Sequence, residues 1–181
     1  MRRDKLEREG EGHPILLKLE SLKGEFRRVV DVGCGKGELL FRMEEKFGVR
    51  GIGVDKKPSE IYAAASKRGP SGKLSFLVQR AEELGFADGS FDVAVSSFSV
   101  HEFEDQLSGL REIFRVLGDG GTFVCLDWTK GVKVAPGQRP LSPEEMEELC
   151  REAGFEDVFV RPLDGERILC IAKKPTPSRR R

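Results

Sequence analysis

Short apolar runs alternate along the chain with longer amphipathic segments. Mostly apolar runs of this length are typical of buried strands, and they predict strands at 28–32, 49–55, 74–78, 91–96 and 122–128. Apolar residues three or four positions apart predict helices at 15–22, 38–47 and 107–117. A further helix, with three alanines, is predicted to begin with Ser59 as its cap.

The last third of the sequence predicts one more helix and a hairpin. Ser142, Pro143 and Glu145 have the spacing of a capping box with proline at the first helical position. Strands at 158–161 and 167–172 flank an Asp-Gly turn, which predicts an antiparallel pair. The expected fold is therefore α/β: a Rossmann-like, doubly wound, mostly parallel seven-stranded sheet with an antiparallel C-terminal hairpin strand.

The ends of the chain differ in composition from its middle. Residues 1–14 are dominated by charges and predict a solvated N-terminal arm, whereas residues 175–181 predict a basic, disordered tail. Residues 15–174 are then expected to form a single domain, which suits a chain of 181 residues.

Composition narrows the class of protein further. The 31 basic residues balance 31 acidic ones, which argues against nucleic-acid binding by the whole domain, and no apolar run is long enough to span a bilayer, so we expect a cytoplasmic protein. The four cysteines lack CxxC spacing, and with two histidines they predict no metal site. The absence of asparagine and the 34% of charged residues suggest a thermophile as the source.

The sequence VVDVGCGKGELL, residues 29–40, joins a predicted strand to a predicted helix through Gly33, Gly35 and Gly37. Glycines let backbone approach a ligand closely, and the helix N-terminus directs amide groups toward polar atoms. The spacing is not the G-x-G-x-x-G of dinucleotide-binding loops, and Glu38 disfavours a diphosphate. Asp31 at the strand end instead suits a ligand that carries an ammonium or a sulfonium group.

Asp55 ends the second predicted strand, 18 residues after Gly37. A carboxylate at this place accepts hydrogen bonds from ribose hydroxyls. A ligand with a ribose and a positive charge fits S-adenosylmethionine. Lys56 and Lys57, directly after Asp55, suggest an NADP-dependent oxidoreductase as a weaker alternative. The carboxylate of Asp55 disfavours the 2′-phosphate of NADP.

Four segments, in this order, resemble the class I S-adenosylmethionine-dependent methyltransferases across residues 27–174: VVDVGCGKGELL, GIGVDKKP, RAEELGFADGSFDVAVSSFSVHEF and LREIFRVLGDGGTFVCLDW. The resemblance implies S-adenosylmethionine as methyl donor and S-adenosylhomocysteine as product. The cofactor-binding residues that it implies are Asp31, Gly33, Cys34, Gly35, Gly37, Asp55, Lys56, Ala81, Glu82, Ser96 and Ser97.

Within that set, the resemblance implies that the glycine loop and Asp31 line the methionine end of the cofactor and that Asp55 holds the ribose. Ala81 would meet the adenine edge with Glu82 beside it, while Ser96 and Ser97 would lie near the methyl group. Two positions depart from the family pattern: Arg80 replaces an aspartate that bonds the adenine amine, and Lys56 replaces an apolar residue. The methylene stem of Lys56 is expected to cover the adenine ring instead.

The acceptor side of the site leaves several alternatives open. His101 follows the fourth predicted strand and is a candidate general base, although a histidine there can also pack locally; Asp127 and Trp128 either line a pocket or shield the core. The Asn-Pro-Pro-Tyr motif of amide and amino-nitrogen methyltransferases is absent. The segment between Trp128 and Leu141 is short, which predicts either an open site for a large substrate or a site covered by a partner subunit.

The sequence is therefore consistent with two functions. The first is a methyltransferase acting on a small molecule or an exposed macromolecular group, with Lys130 and Lys133 on a modest flap attracting an anionic substrate. The second is a non-catalytic module that keeps the fold to support a partner. Asp31, Asp55 and the three glycines favour the first. The expected oligomeric state is a monomer or a weak homodimer.

Overall fold

A seven-stranded sheet lies at the centre of the computed structural model, which describes residues 12–22 and 26–177. Its strands are β1 Arg28–Val32, β2 Arg50–Asp55, β3 Leu74–Val78, β4 Phe91–Ser97, β5 Leu117–Trp128, β6 Glu156–Pro162 and β7 Arg167–Lys173. They are ordered β3-β2-β1-β4-β5-β7-β6, and β7 is antiparallel to both of its neighbours while the other pairs are parallel. The predicted fold class and the antiparallel strand are confirmed.

Helices cover both faces of this sheet. They are α1 Pro14–Ser21, α2 Glu38–Phe47, α3 Pro58–Ser66, α4 Gln106–Val116 and α5 Pro143–Glu152, with a short 3₁₀ helix at Val100–Glu102. Helices α1, α2 and α3 pack into one buried apolar cluster and α4 and α5 into the other. Because both faces are covered, the carboxyl ends of the parallel strands remain as the edge where polar groups can gather.

Local sequence signals fix most helix ends. Gly48 caps α2 in the left-handed region, and Ser142 and Glu145 form the predicted capping box: the Ser142 hydroxyl accepts the Glu145 amide at 3.2 Å, and the Glu145 carboxylate accepts the Ser142 amide at 2.8 Å. The predicted cap at Ser59 is wrong. Helix α3 begins at Pro58, because proline is pre-organised for the first helical position, and no side chain caps it.

Strand β5 also differs from the prediction, since it begins at Leu117 and not at residue 122. Leu117 pairs with Phe91, after which the register shifts before Thr122 pairs with Val93. The sequence GDGG does end α4, as predicted, but it continues as an irregular part of the strand with Gly120 in the left-handed region. Residues 118–121 are rich in glycine and have no alternation of apolar and polar side chains, so no hydrophobic pattern predicts them as part of the strand.

Several predictions made from composition can be compared with the described residues. Cys125 and Cys170 are buried, as their apolar surroundings predicted. Within residues 12–22 and 26–177, no helix combines the length and apolar character needed to cross a bilayer. The same described residues contain no group of three or more His, Cys, Asp or Glu side chains placed to hold a metal ion. Residues 1–11 of the predicted arm and 178–181 of the predicted tail lie outside the described residues.

His13 caps α1 in a way that depends on pH. Its Nδ1 accepts the Ile15 amide at 3.3 Å, which only a neutral ring can do, and burial together with Arg42 and Arg167 lowers the pKa of His13 to about 4. The unfolded chain binds this proton near pH 6.5, so stability should fall as pH decreases from about 6.5 to 4. We expect His13 to contribute up to about 2 kcal/mol of this loss at pH 5.

Chemical denaturation at pH 7 and pH 5 measures this contribution. His13→Asn keeps a side-chain cap but does not titrate, so the variant should lose less stability than the parent protein between the two pH values. An equal loss in both proteins would show that His13 is already solvated in the folded state.

Candidate functional site

The loop that joins β1 to α2 has an unusual backbone held tightly against β2. Gly33, Gly35 and Gly37 have φ values of 77°, 53° and 80°, a region that side chains rarely adopt. The amides of Gly33 and Cys34 both donate to the Val54 carbonyl, at 2.8 and 2.9 Å. The loop is therefore fixed at the carboxyl end of β2, next to Asp55.

Two of these glycines are also required by close packing within the protein. A Cβ at Gly33 would lie 2.2 Å from the Ser99 hydroxyl, which donates to the Gly33 carbonyl at 2.8 Å. A Cβ at Gly37 would lie 2.8 Å from the Phe76 ring. Part of the glycine signal therefore reflects contacts with β3 and with the residues after β4, and not ligand approach alone.

Asp55 fixes the loop from the other side. Its Oδ2 accepts the Gly35 amide at 3.0 Å and its Oδ1 accepts the Lys57 amide at 2.9 Å. Each carboxylate oxygen has a second lone pair, so Asp55 can hold the loop and still accept hydrogen bonds from a ligand.

A cleft opens where the loop, the end of β2 and the segment after β4 meet. Five predicted site residues line it: Gly33, Asp55, Lys56, Ala81 and Glu82. Five further lining residues were not predicted: Val54, Gln79, Ser99, Glu102 and Phe103. The sheet order could have indicated the last three, because β4 lies directly beside β1 and its C-terminal loop must face the glycine loop.

The other predicted cofactor residues do not line this cleft. Asp31 and Ser96 are 2% and 0% exposed, on neighbouring strands whose register pairs Asp31 with Val95. The Ser96 hydroxyl has no hydrogen-bond partner within the described part of the chain. Cys34 is buried, and burial, with Asp31 and Asp55 nearby, raises the pKa of its thiol far above the usual range, so it is not a nucleophile. Gly35, Gly37 and Ser97 are also outside the lining.

His101 lies behind the cleft, paired with a buried carboxylate. Its Nδ1 is 2.5 Å from Asp127 Oδ1, and its amide donates to Asp127 Oδ2 at 3.0 Å. The two side chains are 4% and 2% exposed. With a hydrogen bond from Nδ1–H to Asp127, Nε2 is the ring nitrogen that carries no proton, and it lies 3.9 Å from Glu102 Oε1. Glu102 thus stands between His101 and the cleft.

The segment after β5 crosses over the 3₁₀ helix and is held there. The Arg139 amide donates to the His101 carbonyl at 2.8 Å, and Gln138 Nε2 donates to Glu102 Oε1 at 2.9 Å. The two lysines predicted to attract substrate lie elsewhere on it: Lys130 pairs with Glu145, and Lys133 is exposed. The segment therefore covers one side of the site with residues that the sequence did not single out.

Arg80 and Trp128 have local partners. Arg80 forms ion pairs with Glu104 and, at 3.7 Å, with Glu82, so it belongs to the rim of the site. The Trp128 ring packs on Phe98 with centroids 4.5 Å apart.

Comparison with known proteins identifies the motif-bearing region. A family model described as "Methyltransferase domain" matches residues 30–125, which is more than half of the chain. The match includes the glycine loop, Asp55, Ala81 and the segment after β4.

The curated relatives that this chain matches are longer than the chain. An ajmaline N-methyltransferase of Rauvolfia serpentina is 29% identical over 131 residues, covering 71% of this chain and 44% of the relative. A demethylmenaquinone methyltransferase of Lactococcus lactis is 37% identical over 103 residues, covering 55% and 41%. An O-methyltransferase of Aspergillus sclerotiorum is 31% identical over 172 residues, covering 84% and 63%. The chain spans less than two thirds of each of these relatives.

Solved structures share the fold over nearly the whole chain. A methyltransferase from Haloferax volcanii, in complex with the Trm112 methyltransferase activator, is 24% identical with a TM-score of 0.78, covering 96% of this chain and 94% of that one. A Haemonchus contortus phosphoethanolamine N-methyltransferase in complex with S-adenosyl-L-methionine is 17% identical with a TM-score of 0.79, covering 90% and 52%. At these identities the likeness extends to the fold alone.

Proposed function

Because the chain belongs to the methyltransferase domain family, we propose that the protein is an S-adenosylmethionine-dependent methyltransferase. It transfers the methyl group to a small-molecule or exposed macromolecular nucleophile that is not identified. The observation that carries the proposal is the coincidence of the family match with the cleft, since Gly33, Asp55 and Ala81 line the cleft and lie within residues 30–125.

The residues around the cleft fit this cofactor chemically. Asp55 retains lone pairs for ribose hydroxyls, and the stem of Lys56 can cover the adenine while its head donates to the Glu102 carbonyl at 3.1 Å. Ala81 and Glu82 also line the cleft, where Ala81 would meet the adenine edge with Glu82 beside it. Behind the loop, the negative charge of the buried Asp31 suits the ammonium and sulfonium groups of the cofactor, and Ser96, whose hydroxyl has no hydrogen-bond partner among the described residues, lies on the neighbouring strand.

Bound S-adenosylmethionine supplies a methyl group that its sulfonium charge has already activated. The chain then has to bind the cofactor and the acceptor, to orient the acceptor, and to remove a proton where the acceptor carries one. We assign the last task to His101 as the general base acting through Glu102, which lines the cleft and lies 3.9 Å from Nε2, with Asp127 as the positioning residue of His101. An acceptor that arrives deprotonated would not need this base.

A partner subunit is part of the proposal. The Haloferax volcanii methyltransferase, which has nearly the length of this chain, forms a complex with the Trm112 methyltransferase activator. The short segment after β5 leaves room for a partner to complete the cover of the site. We further propose that residues 15–174 are the catalytic unit and that the protein is cytoplasmic and thermophilic; a melting temperature of about 45–65 °C, usual for mesophile domains, would contradict the last point.

Isothermal titration calorimetry with S-adenosylmethionine and S-adenosylhomocysteine tests the function. We expect saturable binding of both compounds. When pools of candidate acceptors are added to the protein with S-adenosylmethionine, we expect S-adenosylhomocysteine to form. NADPH serves as the control ligand and should give no heat. Absence of heat with both adenosyl compounds would contradict the proposal and would favour a non-catalytic module.

A further inference from the structure

A second cavity, of about 490 Å³, opens directly beside the cofactor cleft. The cavity and the cleft share Lys56, Glu102 and Phe103 in their walls. The rest of the cavity is lined by Lys57, Glu104, Pro136, Gly137, Gln138 and Arg139. Its volume is in the range of sites for small molecules.

The two carboxylates of this cavity are already engaged. Glu104 forms an ion pair with Arg80, which lies outside the cavity lining. Glu102 accepts from Gln138 at 2.9 Å and has Lys57 Nζ at 3.5 Å from its Oε2. Neither carboxylate therefore needs a cationic ligand to balance its charge.

The cations of the cavity are balanced less completely. Lys56 Nζ donates to the Glu102 carbonyl at 3.1 Å, and Arg139 Nη2 donates to the carbonyls of Phe103 and Glu104 at 3.4 and 2.6 Å. Among the residues that the structure describes, no carboxylate lies within 4.0 Å of either cationic group. The lining thus holds three cations and two engaged carboxylates, and Asp105, outside the lining, attracts Arg139 from beyond ion-pair distance. The lining itself carries one positive charge in excess, beside the cofactor cleft.

We propose that this cavity is the acceptor subsite and that the acceptor is a small anionic molecule whose carboxylate or phosphate group contacts Lys57 and Arg139. The inference rests on the proposed function for its role in methyl transfer, but the anion site itself does not. An Arg guanidinium matches the geometry of carboxylate and phosphate oxygens, and a second cation strengthens the contact. A small acceptor is favoured over a polyanion because the chain has equal numbers of acidic and basic residues.

Lys56 connects this subsite to the cofactor. It lines the cleft as well as the cavity, and its head donates to the carbonyl of Glu102 on the wall between them. An anion in the cavity would therefore lie close to both the cofactor and the proposed base. Lys133, on the same segment as Arg139 but outside the lining, is exposed and provides a matched control.

Titration followed by 1H–15N correlation spectra, in the presence of saturating S-adenosylhomocysteine, tests the subsite. The probes are phenyl phosphate, 3-phenylpropionate and the neutral compound phenol. We expect the two anions, and not phenol, to shift the amide signals of Phe103, Gly137 and Gln138, with affinity decreasing as salt is added. The stronger of the two anions identifies the acceptor group as phosphate or carboxylate.

Lys57→Met and Arg139→Gln should each weaken binding of the preferred anion about tenfold, the equivalent of one charge-assisted hydrogen bond, whereas Lys133→Met should leave it unchanged. Thermal melting shows whether each variant is folded. If Arg139→Gln does not fold, the test still rests on Lys57→Met, which changes an exposed side chain.

Three results would each contradict the proposed subsite. They are equal shifts of the amide signals by phenol, an unchanged anion affinity in Lys57→Met, and tighter binding of a single-stranded RNA oligonucleotide that displaces the small anions. Failure of the proposed function is separate, because it would appear as absent binding of S-adenosylhomocysteine before any anion is added.

Discussion

Replacing Asp55 with alanine is expected to weaken binding of S-adenosylhomocysteine by at least about 100-fold while leaving the protein folded. Two hydrogen bonds from ribose hydroxyls to a carboxylate are worth about 1.5–3 kcal/mol each, and a factor of ten corresponds to about 1.4 kcal/mol. The side chain also holds the Gly35 and Lys57 amides at 3.0 and 2.9 Å, so its removal frees the glycine loop and adds an ordering cost to binding.

Isothermal titration calorimetry on the purified variants measures this effect. Asp55→Asn keeps the shape and one acceptor oxygen but loses the charge, so its affinity should lie between those of the parent protein and Asp55→Ala. Glu60→Ala, on the helix that follows and outside the cleft lining, is the matched control and should bind normally. Unchanged affinity in Asp55→Ala would mean that the cleft does not hold the ribose.

The regular elements of this fold were predictable because each carries a local signal. Apolar periodicity located the strands and helices, and the capping box at Ser142 and Gly48 fixed two helix ends to the residue. The start of β5 was not predictable, because Asp119 to Gly121 form an irregular extension with no alternation of apolar residues. Ser59 is predicted as a cap by residue type alone, whereas Pro58 sets the start of α3.

The candidate site was predictable where it follows directly from a motif. Gly33 and Asp55 lie next to strand ends that the sequence already defines, and the structure brings them together in the cleft. Ser99 and Phe103 enter the same cleft only because β4 is placed beside β1, a consequence of sheet order that no local pattern contains.

The cavity beside the cleft depends still more on tertiary structure. Lys57 and Arg139 are separated by 82 positions in the chain and meet because the segment after β5 folds back over the 3₁₀ helix. The same separation explains why the sequence suggests Lys130 and Lys133 instead. Both follow a predicted strand end closely, but Lys130 pairs with Glu145 and neither lysine lines the cavity.

Asp127→Ala is expected to lower the free energy of unfolding by about 3–5 kcal/mol, the largest effect on stability predicted for this chain. Asp127 accepts from three donors in a buried place: His101 Nδ1 at 2.5 Å, the His101 amide at 3.0 Å and the Trp128 amide at 2.8 Å. Alanine leaves all three without an acceptor and exposes none of them to water. For a chain of 181 residues, the melting temperature should fall by roughly 10 °C.

Urea denaturation of matched variants separates the contributions to this loss. Asp119→Ala, at an exposed position of the same strand, should change stability by less than about 0.5 kcal/mol. Asp127→Asn retains one acceptor oxygen and should lose less than Asp127→Ala, yet it removes the charge that orients His101. Because Asp127 does not line the cleft, Asp127→Asn should bind S-adenosylhomocysteine as the parent does. Equal stabilities of Asp127→Ala and Asp119→Ala would contradict the buried pair, and weakened cofactor binding by Asp127→Asn would place the pair in contact with the cofactor.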